Sequence, residues 1–150
     1  MVFFNNNLRL NAHIAKFDAT HDRGCTFCKL SAGLNPAPSE RLRHFFYYCP
    51  VTSNFAENHF SDFLENINII DFNMQWLLIG APSYINFKLL NVINIELVFV
   101  NYFLYRSRLS KKLPTSRDFK FFMNWNRKLL LKNKYYAQGY SKLRRPIETD

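Results

Sequence analysis

No two aspartates stand side by side in this 150-residue chain, so the carboxylate pair that holds catalytic metal in polymerases is absent. A Gly-rich phosphate-cradling loop, a paired-carboxylate site and a nucleophile with an adjacent base are missing too. These absences predict a chain that is not an enzyme by itself and takes no small-molecule substrate. A long uninterrupted apolar run is also lacking. The longest, Leu89 to Tyr105, is broken by Asn91, Asn94, Glu96 and Asn101, and a bilayer centre penalises the charge alone by a few kcal/mol, so no membrane span is expected. Met1-Val-Phe-Phe runs straight into Asn5-Asn-Asn7, which leaves no signal-peptide core. The three cysteines are an odd count, unsuited to a disulfide scaffold, and point to a reducing intracellular compartment, nuclear or cytoplasmic. No internal repeat is visible.

Sixteen Phe, eight Tyr and two Trp, within 48% hydrophobic residues, are too many large side chains for a solvated chain. The length suits one domain, or a small metal module joined to a helical unit. The net charge of +9 is unevenly spread: residues 1 to 49 hold six basic and three acidic groups, 50 to 105 one and five, and 106 to 145 thirteen and one. Two readings fit that last third. It is a cationic surface for a polyanion such as nucleic acid, or a solvated domain end.

All three cysteines fall in one pattern: Cys25-Thr-Phe-Cys28, then fifteen residues to His44 and four more to Cys49. Two thiols two residues apart can point into one tight turn, and a His and a Cys from a short helix can complete a tetrahedral Cys3His zinc site. Such a site is closed to water and does not catalyse. His21, four residues before Cys25, is the substitute ligand to consider, while His13 and His59 have no ligand-like neighbours. Glu40, four residues before His44, either accepts from the imidazole N–H not bound to metal or is a solvated first-turn acid. Phe45 to Tyr48 could stack on bases. The alternative packs Phe46 and Phe27 as the core of the knuckle and leaves the tyrosines partly exposed.

The stretch Glu40-Arg-Leu-Arg-His44-Phe-Phe-Tyr-Tyr-Cys49-Pro50, read with the two upstream cysteines, resembles the zinc-binding segment that follows the polymerase in non-LTR (LINE-type) retrotransposon reverse transcriptases. There the pattern is C-x2-C, a loop, then E-x3-H-[apolar]-F-x2-C-P. The likeness covers most of residues 3 to 131 in organisation, including Asn7-Leu-Arg-Leu-Asn11, Phe17 and the helix closing in Tyr105-Arg-Ser-Arg108, while residues 25 to 50 carry the specific motif. The loop Lys29 to Ser39 is longer than the family's. What the resemblance implies is binding of template RNA or target DNA for a reverse transcriptase polypeptide encoded upstream. The competing expectations are a zinc-stapled protein-interaction module and a non-functional remnant of such an element.

Periodicity and caps predict an all-α fold: a small helical bundle with an embedded zinc knuckle. The expected units are residues 1–50 (an N-terminal helix near Asn5–Phe17 plus the knuckle), 51–137 (a helical unit packed on it) and 138–150 (a basic mobile tail). Ser39 is expected to cap a helix from Glu40 to Tyr48 that Pro50 stops, and Thr52 or Ser53 to cap one from Asn54 to Glu65 with Phe55, Phe60, Phe63 and Leu64 inward. A segment near Asn73–Ile79 stops at Gly80-Ala-Pro82. Tyr84–Arg108 should be a central helix whose Lys88, Asn91, Asn94, Asn101 and Arg108 form one wet stripe. Thr115 and Asp118 start a last helix near Ser116–Ala137, ended by Gly139. Its Phe122, Trp125, Leu129 and Tyr136 would pack inward. Lys120, Arg127 and Lys134 would then face solvent and bind nucleic acid with Lys142, Arg144 and Arg145.

Overall fold

Breakers and caps divide the chain much as its sequence suggests. The computed structural model describes residues 8–65, 72–134 and 137–138. Among these there is no strand, and the fold is all-α as expected: α1 (Asn11–Ile14), α2 (Thr26–Ala32), a π-helical segment (His44–Tyr48), α3 (Pro50–Leu64), α4 (Trp76–Ile79), α5 (Phe87–Leu109) and α6 (Ser116–Leu130). Tyr136, Gly139, Lys142, Arg144 and Arg145, and with them the expected tail from residue 139 on, lie outside the described residues, as do Asn5 to Asn7 of the expected first helix.

Several boundaries move for physical reasons. The first helix shrinks to four residues, because the Asn11 N–H is taken by the Glu40 carboxylate and Leu10 enters the core extended. Gly33, at φ 61, closes α2 in the left-handed conformation that favours glycine. Ser39 caps nothing and pairs instead with Gly24 in an isolated antiparallel bridge. Pro50 does not merely stop one helix; it begins the next, at a first-turn position where its missing N–H costs nothing, and Thr52 is buried within that turn. The cap at Thr115 is as expected, its Oγ1 accepting from the Asp118 N–H at 3.1 Å.

Among the described residues the larger core cluster runs from Leu10 and the knuckle's Phe27 and Phe46, through Phe60 and Leu77, to Leu104 and Met123, with a smaller one around Val92. The knuckle and the helical unit therefore share an interior. At its centre Phe55 of α3 stacks on Phe103 of α5 at 5.6 Å, and Phe119 of α6 meets both rings edge-on. Of the residues expected inward on α3, Phe55, Phe60 and Leu64 are buried and Phe63 is half-buried.

The stripe on α5 is wet only at its start, where Lys88 is exposed and Asn91 half-buried. Asn94 accepts from the Ala81 N–H at 2.9 Å, Asn101 donates to the Leu77 carbonyl at 2.8 Å, and Arg108 is buried in an ion pair. Seven-residue spacing places all three on one face, which meets α4 and the turn after it at Asn94 and Asn101, where backbone groups need partners, and Glu40 at Arg108.

The rotation of α6 also differs. Its inward row is Phe119, Met123 and Arg127 at four-residue steps, while Trp125 is 72% and Leu129 55% exposed. The cause is Glu96, fully buried in the middle of α5: a buried carboxylate needs a cation, and Arg127 supplies it at 2.7 Å with His59 of α3 at 3.3 Å on the other oxygen. Burial raises the Glu96 pKa, but the hydrogen bond from His59 and the charge of Arg127 outweigh it and hold the carboxyl below its usual range. That stability is present above the unfolded value of about 4.3 and is lost as pH falls through the lowered folded value. Denaturant titrations between pH 6 and pH 3 are expected to show falling stability, with a flatter dependence in Glu96→Gln.

Candidate metal centre

The four expected ligands converge. Cys25 Sγ lies 3.8 Å from Cys49 Sγ, Cys28 Sγ lies 3.9 Å from Cys49 Sγ and 3.5 Å from His44 Nε2, and all four ligand atoms fall within 4.8 Å of one another. The three cysteines are buried and His44 is half-buried. This cluster could hold a metal ion.

Local structure explains how each ligand gets there. Cys25 and Cys49 are the N-cap residues of α2 and α3, and Cys28 sits on the first turn of α2. Sulfurs there face free N–H groups and the positive end of the helix dipole, which favour a thiolate. Without metal, the three sulfurs share protons unequally. The Cys25 thiol donates to Cys49 and is pushed up, by that bond first and by burial second. Cys49 is lowered to about 5 by accepting it, against the effect of burial and with help from the Thr52 and Val51 N–H groups. Burial, then the neighbouring Cys49 charge, raises Cys28.

The His44-to-Cys49 spacing closes through a π turn, not the α-helix expected over Glu40–Tyr48. Residues five apart on an α-helix project about 140° from each other. Winding from i to i+5, marked by the Cys49 N–H to His44 carbonyl bond of 2.6 Å, brings residue 49 back over residue 44.

Glu40 takes neither of its expected roles. It is wholly buried, precedes the helical turn, and makes no hydrogen bond to His44 among the described residues. Its Oε2 accepts from the Thr26 N–H at 2.7 Å; its Oε1 accepts from the Asn11 N–H at 3.1 Å and from Arg108 Nε at 2.8 Å. Arg108 also donates to Asn11 Oδ1, and Asn11 Nδ2 donates to the Gly24 carbonyl. Thr26 is the first residue of α2 and sits between two ligands, so Glu40 caps that helix from across the chain and holds the metal loop by its backbone. Asn11 and Arg108 were not anticipated at the site; the seven-residue polar stripe ending at Arg108 was the available signal. His21 bonds to Asn11 Oδ1 at 3.0 Å rather than joining the cluster.

Phe27 and Phe46 pack the knuckle as one of the two readings had it, joined by Phe45; Tyr47 is half-buried and Tyr48 57% exposed. The expected basic face is rearranged. Lys120 and Lys134 are exposed, but Arg127 turns in to Glu96. In its place the outer side of α6 presents Arg117 and Lys128, with Lys132 just beyond the helix end, near Phe121 and Trp125; of these two rings Trp125 was expected to pack inward. Against known proteins, the chain matches no family model, no curated sequence and no solved structure.

Metal analysis of the purified chain is expected to return one ion per molecule. Chelation, or Cys49→Ser, should open amides of residues 24–49 to hydrogen exchange before those of α5, and a well-folded metal-free sample with that segment still protected would rule the site out. Glu40→Gln keeps every ligand yet leaves Arg108 buried without its counter-charge, so a loss of about 3–5 kcal/mol in unfolding free energy is expected in denaturant titration.

Proposed function

We propose that this chain is a zinc-stapled nucleic-acid-binding module, non-catalytic alone, whose metal is structural and whose binding surface lies on the C-terminal helical unit. Zinc is supported by size and softness. Zn–S bonds of about 2.3 Å and Zn–N bonds of about 2.0–2.1 Å at tetrahedral angles require edges of roughly 3.8 Å between sulfurs and 3.5 Å between sulfur and nitrogen. Three of the six edges are 3.8, 3.9 and 3.5 Å, and the rest fall within 4.8 Å. Three thiolates with one imidazole suit zinc among divalent ions, and four protein ligands leave no open position for water or substrate.

The observation that carries nucleic-acid binding is surface charge. Arg106, Lys111, Lys112, Arg117, Lys120, Lys128, Lys132 and Lys134 are all exposed, with Asp118 the one acidic residue between them. Such a density of cations on one unit favours a polyanion. The resemblance of residues 25 to 50 to retrotransposon reverse transcriptases supports template RNA or target DNA as that polyanion, and an upstream reverse transcriptase polypeptide as the partner. A second reading, a protein-interaction module stapled by zinc, is favoured by the burial of Phe45 and Phe46, which leaves only the half-buried Tyr47 and the exposed Tyr48 of residues 45–48 for base stacking.

Affinity for a single-stranded oligonucleotide should fall steeply with salt, each neutralised phosphate contributing roughly −0.7 to the logarithmic slope. Changing Lys120, Lys128 and Lys132 together to Gln is expected to flatten that slope by about 2 while zinc content and fold persist. Binding that is absent, or indifferent to salt, transfers the function to the protein-interaction reading.

A further inference from the structure

We infer that the cleft between α5 and α6 is a stacking site for unpaired bases, so that the module takes single strands in preference to duplex. This rests on the nucleic-acid reading above and specifies the substrate class. The cleft encloses about 570 Å³, and among its lining residues are Arg106, Lys112, Asp118, Phe121 and Trp125. Its volume falls within the range of pockets that bury flat, drug-sized molecules.

Two large rings stand uncovered at its edge: Phe121 is 82% and Trp125 72% exposed. Single exposed aromatics are ordinary, but two at four-residue spacing lie next to each other on the helix surface. The helix does not expose them for want of a buried face, since Phe119 and Met123 at 3% and 1% already fill that role. Arg117 and Lys128, four before Phe121 and three after Trp125, flank the rings on the same side of α6. On the facing helix Arg106 lies 5.9 Å over the exposed Tyr102 ring. The lining sets Arg106 and Lys112 against one acidic group, Asp118, and with Arg117 and Lys128 beside the rings the surroundings of the cleft carry a net positive charge.

Rings interleaved with cations fit an occupant that alternates flat apolar faces with negative charge. A single strand does so, with bases on the aromatics and phosphates on Arg106, Lys112, Arg117 and Lys128. A duplex keeps its base faces stacked inside and offers the rings nothing.

The zinc-loaded full chain, titrated with an oligothymidylate, an abasic oligonucleotide of equal length and a duplex, tests this by anisotropy and tryptophan emission. Trp125 is the exposed reporter, since Trp76 is buried. The expected result is quenching by oligothymidylate only and weaker binding of the other two. Trp125→Ala should lose roughly 10- to 100-fold in affinity for oligothymidylate, Trp125→Phe should restore most of it, and neither should alter abasic binding. Equal affinity and equal salt slope for oligothymidylate and the abasic strand overturn the stacking site while leaving phosphate binding in place, as would tighter binding of duplex. Failure of all three to bind overturns the nucleic-acid reading as well, and a polyglutamate peptide competing as well as oligothymidylate assigns the cleft to an acidic protein.

Discussion

A carboxylate with no exposed surface, Glu40, holds together parts of the chain that are far apart in sequence. Through Arg108 it reaches the end of α5, through the Thr26 N–H it reaches the turn between two metal ligands, and through Asn11 it fixes the entry of the chain. Desolvating two charges costs several kcal/mol apiece, so such a pair is weak evidence of net stability. What it enforces is registry. Any packing of the knuckle on the bundle that misplaces Arg108 leaves a charge buried and unpaired, and that penalty selects one arrangement.

A second buried carboxylate repeats the device inside the helical unit. Glu96 joins α3 and α6 to α5 through His59 and Arg127, and so sets how α6 rotates about its axis. Rotation has a consequence at the surface. Drawing Arg127 inward with Phe119 and Met123 turns Phe121 and Trp125 outward among lysines. The same ion pair that orders the core thus creates the mixed aromatic and cationic face on which the proposed function rests. By length and composition α5 could cross a membrane, yet its Glu96, Asn101 and Arg108 are each engaged by other parts of the chain, which makes it the core helix of this bundle.

At the metal centre the backbone does much of the chemistry. Two of the three cysteines occupy helix N-cap positions, near N–H groups that favour the anion, and the third lies on the first turn of one of those helices. A π turn supplies what an α-helix could not, a His and a Cys five residues apart on one side. These features reduce the rearrangement that binding an ion demands.

Sequence by itself pointed to the candidate ligand set, because Cys25, Cys28, His44 and Cys49 are close enough along the chain for spacing to imply the convergence that is seen. It determined the helical class and several ends for the same local reason: Thr115 caps, Gly80 terminates, and prolines forbid helix interiors. Tertiary structure decided which way each helix faces. The partners concerned, Glu40 with Arg108 and Glu96 with His59 and Arg127, are 68, 37 and 31 residues apart, beyond any periodicity that a window can register. Asn101 and Arg108 read as a wet stripe because polar residues at seven-residue spacing ordinarily face water. Here they face buried backbone and a buried charge, and the cost of leaving those groups unpaired outweighs the pull of solvent.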